Sequence, residues 1–235
     1  MGSLLGRRVL ITGGTAGIGR ATAASLAGDG ASVFVVGRNR TRLDQTCADL
    51  KINGGTSDVR DYQACENVVA KAAQELGGLD AVINCAGIGT ITSIEEMTAQ
   101  AWSTIMETNV TGTFNICKAA LPWLKASDRA DIINLGSRAG RYAYEGGTAY
   151  CASKFAIQGF SEALFLDLVQ YGIGVSLVAP GTVGTGFSGI EPQDWHLRPE
   201  DVAEAIANCL KSHATANLNW IEMRPSRRRQ TEDLA

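Results

Sequence analysis

The chain has 235 residues, of which 45% are hydrophobic and 19% are charged, and its formal net charge is −3. This composition is that of a globular protein with a substantial core, which excludes the disordered and fibrous classes. Surfaces that bind nucleic acid are normally basic, so we expect no nucleic-acid partner. The only basic run, at 227–229, lies in a polar tail and is interpreted as a solvated end.

The cysteines show no CxxC pair and no grouping with either histidine; they are Cys47, Cys65, Cys85, Cys117, Cys151 and Cys209. Zinc sites and disulfide frameworks need closer spacing, so we expect no metal and the reduced thiols of a cytoplasmic protein. No apolar run approaches the roughly 20 residues that span a bilayer, so we expect no membrane partner. The first residues lead directly into a strand-like segment, and no secretory leader is expected.

Apolar, β-branched segments alternate with longer amphipathic segments in chain order. Strands are predicted at 8–13, 31–37, 56–59 (weakly), 79–87, 130–137, 174–180 and 219–225. Helices are predicted at 17–29, 40–50, 62–77, 98–125, 150–171 and 199–212. Continuous apolar strands that alternate with helices are typical of a parallel sheet covered on both faces. We therefore predict an α/β fold, in which residues 1–235 form a single doubly wound Rossmann-fold domain with a central seven-stranded parallel sheet.

A glycine-rich turn joins the first predicted strand to the first predicted helix in "VLITGGTAGIGRATAASLA". Gly13, Gly17 and Gly19 remove Cβ atoms where the backbone must turn tightly and approach a pyrophosphate. The N-terminus of the following helix offers unpaired N–H groups. The spacing is Gly-xxx-Gly-x-Gly, not the common Gly-x-Gly-xx-Gly, and such turns also serve close packing. The position after the first strand favours a nucleotide site.

Tyr150 and Lys154, in "YCASK", are four residues apart and would share one face of a helix. A free phenol titrates near 10, which is high for a proton donor at working pH. An ammonium about 4 Å away would lower the pKa of the phenol by about one to two units. The alternative is that the two residues lie on the surface without a function, but the pair is better interpreted as an acid whose pKa is adjusted by its neighbour.

Several segments, in the expected order, resemble the short-chain dehydrogenase/reductase family over essentially the whole chain. "TGGTAGIG" is similar to the family's TGxxxGxG loop, and "YCASK" is similar to its YxxxK signature. "NCAG" at 84–87 resembles NNAG, with Cys85 in place of the second asparagine. "METNVTG" contains the family's helix asparagine, "INLGS" ends in a serine thirteen residues before the tyrosine, and "APGTVGTGF" resembles PGxVxT.

The resemblance implies an oxidoreductase that transfers hydride between NADP(H) and a carbonyl or alcohol. It makes Tyr150 the general acid–base and Ser137 the donor to the substrate oxygen. It implies that Lys154 holds the nicotinamide ribose and that Asn109 supports a water chain that returns the proton. The implied cofactor contacts are Gly13, Thr15, Gly17, Ile18, Gly19, Arg38, Asp58, Val59, Asn84, Ala86, Gly87, Tyr150, Lys154, Pro180, Gly181, Val183 and Thr185.

The end of the second predicted strand bears on the choice of cofactor. Folds of this kind that prefer NAD place an acid there, which holds the 2′-hydroxyl of the ribose. Here the position is Gly37, and Arg38 follows with a guanidinium suited to a 2′-phosphate. An ordinary loop arginine is the alternative, but the missing acid favours NADP. Arg40 and Arg42 are candidates to share the phosphate.

The sequence indicates the substrate less clearly than the cofactor. About a dozen residues separate the PG segment from the helix at Pro199, and Trp195 among them either closes over a ligand or packs the loop down. Arg138 and Arg141 either hold a substrate carboxylate or are exposed loop arginines. The ending "NLNWIEMRP" resembles NADP-dependent hydroxy-acid and hydroxy-aldehyde dehydrogenases related to clavulanate dehydrogenase, and a small-molecule carbonyl or alcohol is expected.

Two other functions stay open. Reductases of the 3-oxoacyl-acyl-carrier-protein type usually carry a basic residue before the glycine that ends the tyrosine helix, where this chain has Tyr171. A redox sensor that binds NADP(H) without turnover would not need the acid. The resemblance further implies a homo-oligomer, a tetramer or dimer, paired through the helices at 98–125 and 150–171. Apolar residues on the second of these are Phe155, Phe160, Phe165 and Leu168.

Overall fold

The computed structural model describes residues 3–212 and 215–226, so the basic run at 227–229 lies outside the described residues. The strands are β1 (Arg8–Thr12), β2 (Ser32–Gly37), β3 (Asn53–Thr56), β4 (Ala81–Asn84), β5 (Ala130–Leu135), β6 (Ile173–Pro180) and β7 (Trp220–Met223). They form a single seven-stranded sheet in the order β3-β2-β1-β4-β5-β6-β7. Each neighbouring pair is parallel. The predicted Rossmann-like fold is confirmed.

Helices cover both faces of this sheet. They are α1 (Gly17–Gly28), α2 (Arg40–Leu50), α3 (Tyr62–Leu76), α4 (Ala99–Met106), α5 (Gly112–Lys125), α6 (Thr148–Leu168) and α7 (Pro199–Lys211). Successive residues of a strand point to opposite faces, so Leu10 belongs to one hydrophobic core while Val9 and Ile11 belong to the other. This two-sided burial explains why the strands are continuous apolar runs.

The third strand lies earlier than predicted. The sequence indicated 56–59, but β3 is the glycine-containing segment 53–56. A Cβ added to Gly54 would lie 2.8 Å from Cys47 Sγ, and one added to Gly55 would lie 2.9 Å from Val68 Cγ2. Cys47 belongs to α2 and Val68 to α3, so these two helices approach β3 too closely for side chains at Gly54 and Gly55. The glycines remove the apolar pattern by which strands are recognised.

The long helix predicted at 98–125 is interrupted. A π-helical turn at Glu107–Thr111 separates α4 from α5. Such turns are frequent at functional sites, and Asn109 lies in the middle of this one. The helix predicted at 150–171 begins two residues earlier, at Thr148, and its last residues form a 3₁₀ turn at Val169–Tyr171.

Among the residues in 3–212 and 215–226, no helix is both long and apolar enough to cross a membrane. All six cysteines fall within the described residues, and all are free thiols.

Candidate active site

A cleft of about 850 Å³ opens at the carboxyl edge of the sheet. It is lined by the glycine turn after β1, the end of β2, the turn after β4, the end of β5, the start of α6 and the segment after β6. The strand order reverses between β1 and β4, and ligands of open α/β sheets bind at such a point. The volume is ordinary for a small-molecule or cofactor site.

The turns after β1 and β4 are in direct contact at the base of the cleft. Gly13 has a φ of +65°, and a Cβ added there would lie 2.8 Å from the backbone nitrogen of Ala86. Thr12 Oγ1 accepts a hydrogen bond of 3.2 Å from that nitrogen. Only glycine fits at position 13, because a side chain would force the two turns apart.

The N-terminus of α1 faces the same cleft. Its N-cap is Ala16, which supplies no side-chain hydrogen bond, and its first turn contains no acidic residue. Gly17, Ile18 and Gly19, three of the expected cofactor contacts, line the cleft. The first N–H groups of a helix have no partner within the helix and carry partial positive charge. The residues present therefore fit the pyrophosphate of a dinucleotide.

Two arginines lie at the end of the cleft formed by β2. Arg38 and Arg42 both line it beside Gly37. Asn39 caps α2 by accepting a hydrogen bond of 2.9 Å from the backbone nitrogen of Arg42, which fixes Arg42 in the first turn. Arg40 was expected to share the phosphate, but its guanidinium lies 2.9 Å from Asp44 on the exposed face of α2. Arg42 is thus the second arginine of this end.

Two predicted cofactor contacts do not line the cleft. Asp58 forms an ion pair of 2.6 Å with Arg60, and the hydrogen bond from Arg60 lowers the pKa of that carboxyl. Its neighbours Ser57 and Val59 line the cleft instead. Asn84 is buried and donates a hydrogen bond of 2.9 Å to Asn134. The side chain of Asp58 is thus paired with a neighbouring arginine, and that of Asn84 is bonded within the sheet.

Asn84 belongs to a chain of hydrogen bonds that ties α6 to the sheet. Asn134, on the neighbouring strand β5, donates a hydrogen bond of 2.9 Å to Ser161 of α6. Ser161 in turn donates to the backbone oxygen of Ile157, one turn earlier in the same helix. These amides are buried, so the chain of bonds fixes where α6 sits along the sheet.

Tyr150 and Ser137 lie together on the wall of the cleft. The Tyr150 ring packs against Phe187, with centroids 5.6 Å apart and planes tilted by 52°. Burial raises the pKa of Tyr150 to about 12, and a hydrogen bond with Ser137 opposes this rise. The phenol is therefore protonated near neutral pH, as a proton donor must be.

Lys154 occupies a buried position behind the tyrosine. Its side chain is on the cleft and the residue is only 7% exposed. The ammonium donates a hydrogen bond of 2.8 Å to the Leu135 carbonyl and lies 5.7 Å from the centre of the Tyr150 ring. The expected lowering of the phenol pKa by Lys154 is wrong for this structure, because burial of the phenol dominates. Burial also lowers the pKa of Lys154, to about 8.

Asn109 lies behind the cleft, where it joins two segments. Its Oδ1 accepts a hydrogen bond of 2.8 Å from the backbone nitrogen of Ile88, and its Nδ2 donates to the Ile88 carbonyl. The same Nδ2 donates a hydrogen bond of 3.0 Å to Ser153 of α6. The π-helical turn thus aims one amide at both the turn after β4 and the helix that carries Tyr150.

The outer wall of the cleft contains residues that the sequence analysis did not single out as contacts, namely Ile88, Ile91, Thr108, Tyr142, Ser188 and Ile190. Ser188 has a φ of +58° and donates a hydrogen bond of 2.9 Å to the Gly89 carbonyl, which ties the segment after β6 to the turn after β4. Trp195 instead packs edge-on against His196, with centroids 4.2 Å apart. The six residues of the outer wall share no sequence motif, so nothing in the sequence indicated that they line the cleft.

The fold is Rossmann-like, and a serine, a tyrosine and a lysine line the same cleft as the glycine-rich turn after β1. The chain belongs to the short chain dehydrogenase family, whose model matches residues 7–194. An uncharacterized oxidoreductase of Staphylococcus aureus is 32% identical over 221 residues, which cover 92% of this chain and 96% of that protein.

Solved structures agree with this assignment. The closed form of a serine dehydrogenase complexed with NADP+ is 32% identical, has a TM-score of 0.86, and covers 92% of this chain and 93% of its own. A serine dehydrogenase from Escherichia coli is 31% identical, with a TM-score of 0.83 and coverage of 92% and 96%. The family and the fold of this chain are thereby shown.

Replacing Lys154 with methionine is expected to raise the thermal midpoint at pH 7. Because burial lowers the pKa of Lys154 from 10.5 to about 8, its charge destabilises the folded state by on the order of 3 kcal/mol below pH 8. Loss of the hydrogen bond to Leu135 offsets about 1 kcal/mol. The net gain corresponds to about 4–8 °C. It should shrink as the pH rises from 8 to 10.5, where the wild-type amine becomes neutral.

Scanning calorimetry of the protein without cofactor at pH 7, 9 and 10.5 measures this change. Lys51→Met, at an exposed lysine, is the matched control and should leave the midpoint unchanged. A lower midpoint for Lys154→Met at pH 7 would show that the buried ammonium stabilises the fold.

Proposed function

We propose that this chain is an NADP-dependent dehydrogenase that acts on the CH–OH group of a small alcohol, or on the corresponding carbonyl. The observation that carries the proposal is the position of Ser137, Tyr150 and Lys154 on the cleft that the glycine turn also lines. Hydride transfer needs a cofactor and a proton donor at one place. The serine dehydrogenases among its structural neighbours support a hydroxy compound as substrate.

The cofactor site combines features that suit NADP(H). Gly13, Gly17 and Gly19 would admit the pyrophosphate against the N-terminus of α1. Arg38 and Arg42 would hold the 2′-phosphate, since Gly37 offers no carboxylate for a ribose diol. When bound, the nicotinamide accepts or donates the hydride.

The side chains on the wall of the cleft would carry out the proton transfer. The Tyr150 phenol would donate to the substrate oxygen during reduction and accept the proton during oxidation. Ser137, which shares a hydrogen bond with this phenol, would hold the same oxygen. Lys154 would hold the nicotinamide ribose. Asn109 would act through its hydrogen bonds to Ile88 and Ser153, which hold the turn after β4 and α6 in fixed positions.

Replacing Tyr150 with phenylalanine should reduce turnover by about 10²–10⁴-fold, because the proton donor is lost. The dissociation constant of NADPH should change less than about threefold, since only one oxygen is removed and the ring still packs against Phe187. Steady-state assays with a panel of hydroxy acids and aldehydes, together with fluorescence titration of NADPH, measure the two effects.

Tyr171→Phe makes the same chemical change at an exposed position at the far end of the helix and is the matched control. Equal activity of Tyr150→Phe and the wild type would remove Tyr150 from the mechanism. Tight NADPH binding without turnover of any compound in the wild type would favour a redox sensor.

The wild type should prefer NADPH to NADH by about 10- to 150-fold in kcat/KM, since a charge-assisted hydrogen bond contributes roughly 1.5–3 kcal/mol. Arg38→Leu with Arg42→Leu should abolish the preference. Arg40→Leu removes one equal charge that already pairs with Asp44 and should change nothing. A preference for NADH in the unmodified protein would exclude the phosphate site.

Reversal of the preference needs three changes. An aspartate at position 37 would attract a ribose diol and repel a phosphate. A Cβ added to Gly37 would, however, lie 2.6 Å from Thr15 Cγ2. We therefore expect Gly37→Asp with Arg38→Leu to prefer NADH only when Thr15→Ser removes that methyl group. The comparison of kcat/KM for the double and triple variants measures the steric contribution.

The protein should associate as a dimer or tetramer through α4, α5 and α6, the helices at the predicted positions 98–125 and 150–171. Of the four residues named on α6, Phe155 is 48% exposed, Leu168 is buried, and Phe160 and Phe165 are partly buried against the core. Leu166 is 67% exposed on the same helix, and exposed apolar clusters mark association surfaces.

Light scattering at micromolar concentration should give two or four times the mass of one chain. Phe155→Glu with Leu166→Glu should give a monomer, because the charges would be buried at the contact. Leu5→Glu, at another exposed leucine, is the control and should not change the mass. A monomeric wild type would contradict the proposal.

A further inference from the structure

Three arginines converge on one carboxylate beside the cleft. Glu222 of β7 lies 2.6 Å from Arg224, 3.3 Å from Arg138 and 3.8 Å from Arg141. The three guanidinium groups also surround the Tyr142 ring, at 4.9 Å for Arg138, 5.5 Å for Arg141 and 5.8 Å for Arg224. We call these five residues the arginine cluster.

The charges of the arginine cluster do not balance. Three guanidinium groups share one carboxylate, which leaves two net positive charges. Arg224 donates a hydrogen bond of 2.7 Å to Glu222, and this bond is the main reason that the pKa of Glu222 is lowered. Glu222 is therefore ionised and largely committed to Arg224. The other two arginines keep most of their donor capacity.

Arg138 is the member that meets both the cleft and this unbalanced charge. It follows Ser137 directly and lines the cleft, whereas Arg141 and Arg224 do not. A Cβ added to Gly181 would lie 3.4 Å from Arg138 Cδ, so the side chain runs along the segment after β6. Its Nε is buried without a hydrogen-bond partner, because the contact of 3.3 Å with Glu222 is not aligned for one.

Apolar side chains line the same cleft. Among them are Ile91, Phe187 and Ile190, together with the ring of Tyr144. Arg138, which follows Ser137 directly, shares the cleft with these side chains. A guanidinium on the lining of such a cleft, with one donor left unpaired, is suited to recognise a planar anion.

We propose that Arg138, held in place by Glu222 and Tyr142, binds the carboxylate of the substrate, which is a short hydroxy acid. The hydroxyl-bearing carbon lies beside Ser137 and Tyr150, and the carboxylate lies beside Arg138. The acid is short because the cofactor would share the same cleft of about 850 Å³. This inference rests on the proposed function and names its substrate class.

The test compares 3-hydroxybutyrate with its methyl ester, which keeps the hydroxyl but lacks the charge. The wild type should prefer the acid in kcat/KM. Arg138→Gln should lose about 10- to 100-fold on the acid, mainly through KM, and stay within about twofold on the ester. Arg141→Gln removes a charge from the same cluster but outside the cleft, and it should change neither substrate by more than about twofold.

Arg138→Lys keeps the charge but not the planar fork, so it should recover part of the loss on the acid. This variant also carries the test if Arg138→Gln fails to fold, since it should then lose activity on the acid alone. A wild type that prefers the ester would overturn the proposal. Equal losses on acid and ester in a folded Arg138 variant would also overturn it, because they indicate a purely structural role.

The two proposals fail in different ways. If the ester is oxidised and Arg138 does not affect selectivity, the carboxylate site is wrong while the proposed function stands. If neither compound is turned over, the proposed function fails for this substrate class. Calorimetric titration of 3-hydroxybutyrate into the protein with NADP+ then decides the site. Binding that Arg138→Gln abolishes supports it, and binding that is absent or unchanged overturns it.

Discussion

The contact between the turns after β1 and β4 is the constraint on which the cleft depends. Gly13 approaches the backbone of Ala86 so closely that no Cβ fits, and Thr12 bonds the same peptide. Because β1 and β4 are parallel neighbours, this contact places the glycine turn and the start of α1 directly beside the turn that Asn109 holds. A side chain at position 13 would widen this junction and displace the glycine turn from the wall that carries Tyr150.

Two buried polar chains then fix α6, which carries Tyr150 and Lys154. One runs from Asn84 through Asn134 to Ser161, and the other runs from Asn109 to Ser153. Apolar packing alone tolerates sliding of a helix on a sheet, whereas hydrogen bonds between buried amides and hydroxyls do not. The helix is therefore held at two points along its length. This fixed position of α6 also keeps the Lys154 ammonium buried, and burial lowers its pKa.

The sequence predicted the fold and most of the cleft because both depend on local patterns. Apolar runs defined six of the seven strands, and glycine spacing defined the turn after β1. Prediction was wrong where the cause was tertiary. The third strand was misplaced because helix packing requires glycines there. The amide of Asn84 bonds Asn134 on a neighbouring strand, whereas the carboxylate of Asp58 pairs with Arg60, two residues along the chain. Arg40 and Arg42 differ only in which face of α2 they occupy.

Charge is distributed unevenly in a way that composition does not reveal. The chain has a net charge of −3, yet arginines stand at both ends of one cleft. Arg38 and Arg42 lie at the β2 end, and Arg138 lies beside β7. On the proposed function, the first pair meets the phosphate of the cofactor and the second position meets the substrate. Selectivity for anions would then arise at both ends, while the proton transfer between them depends on the protonated phenol of Tyr150.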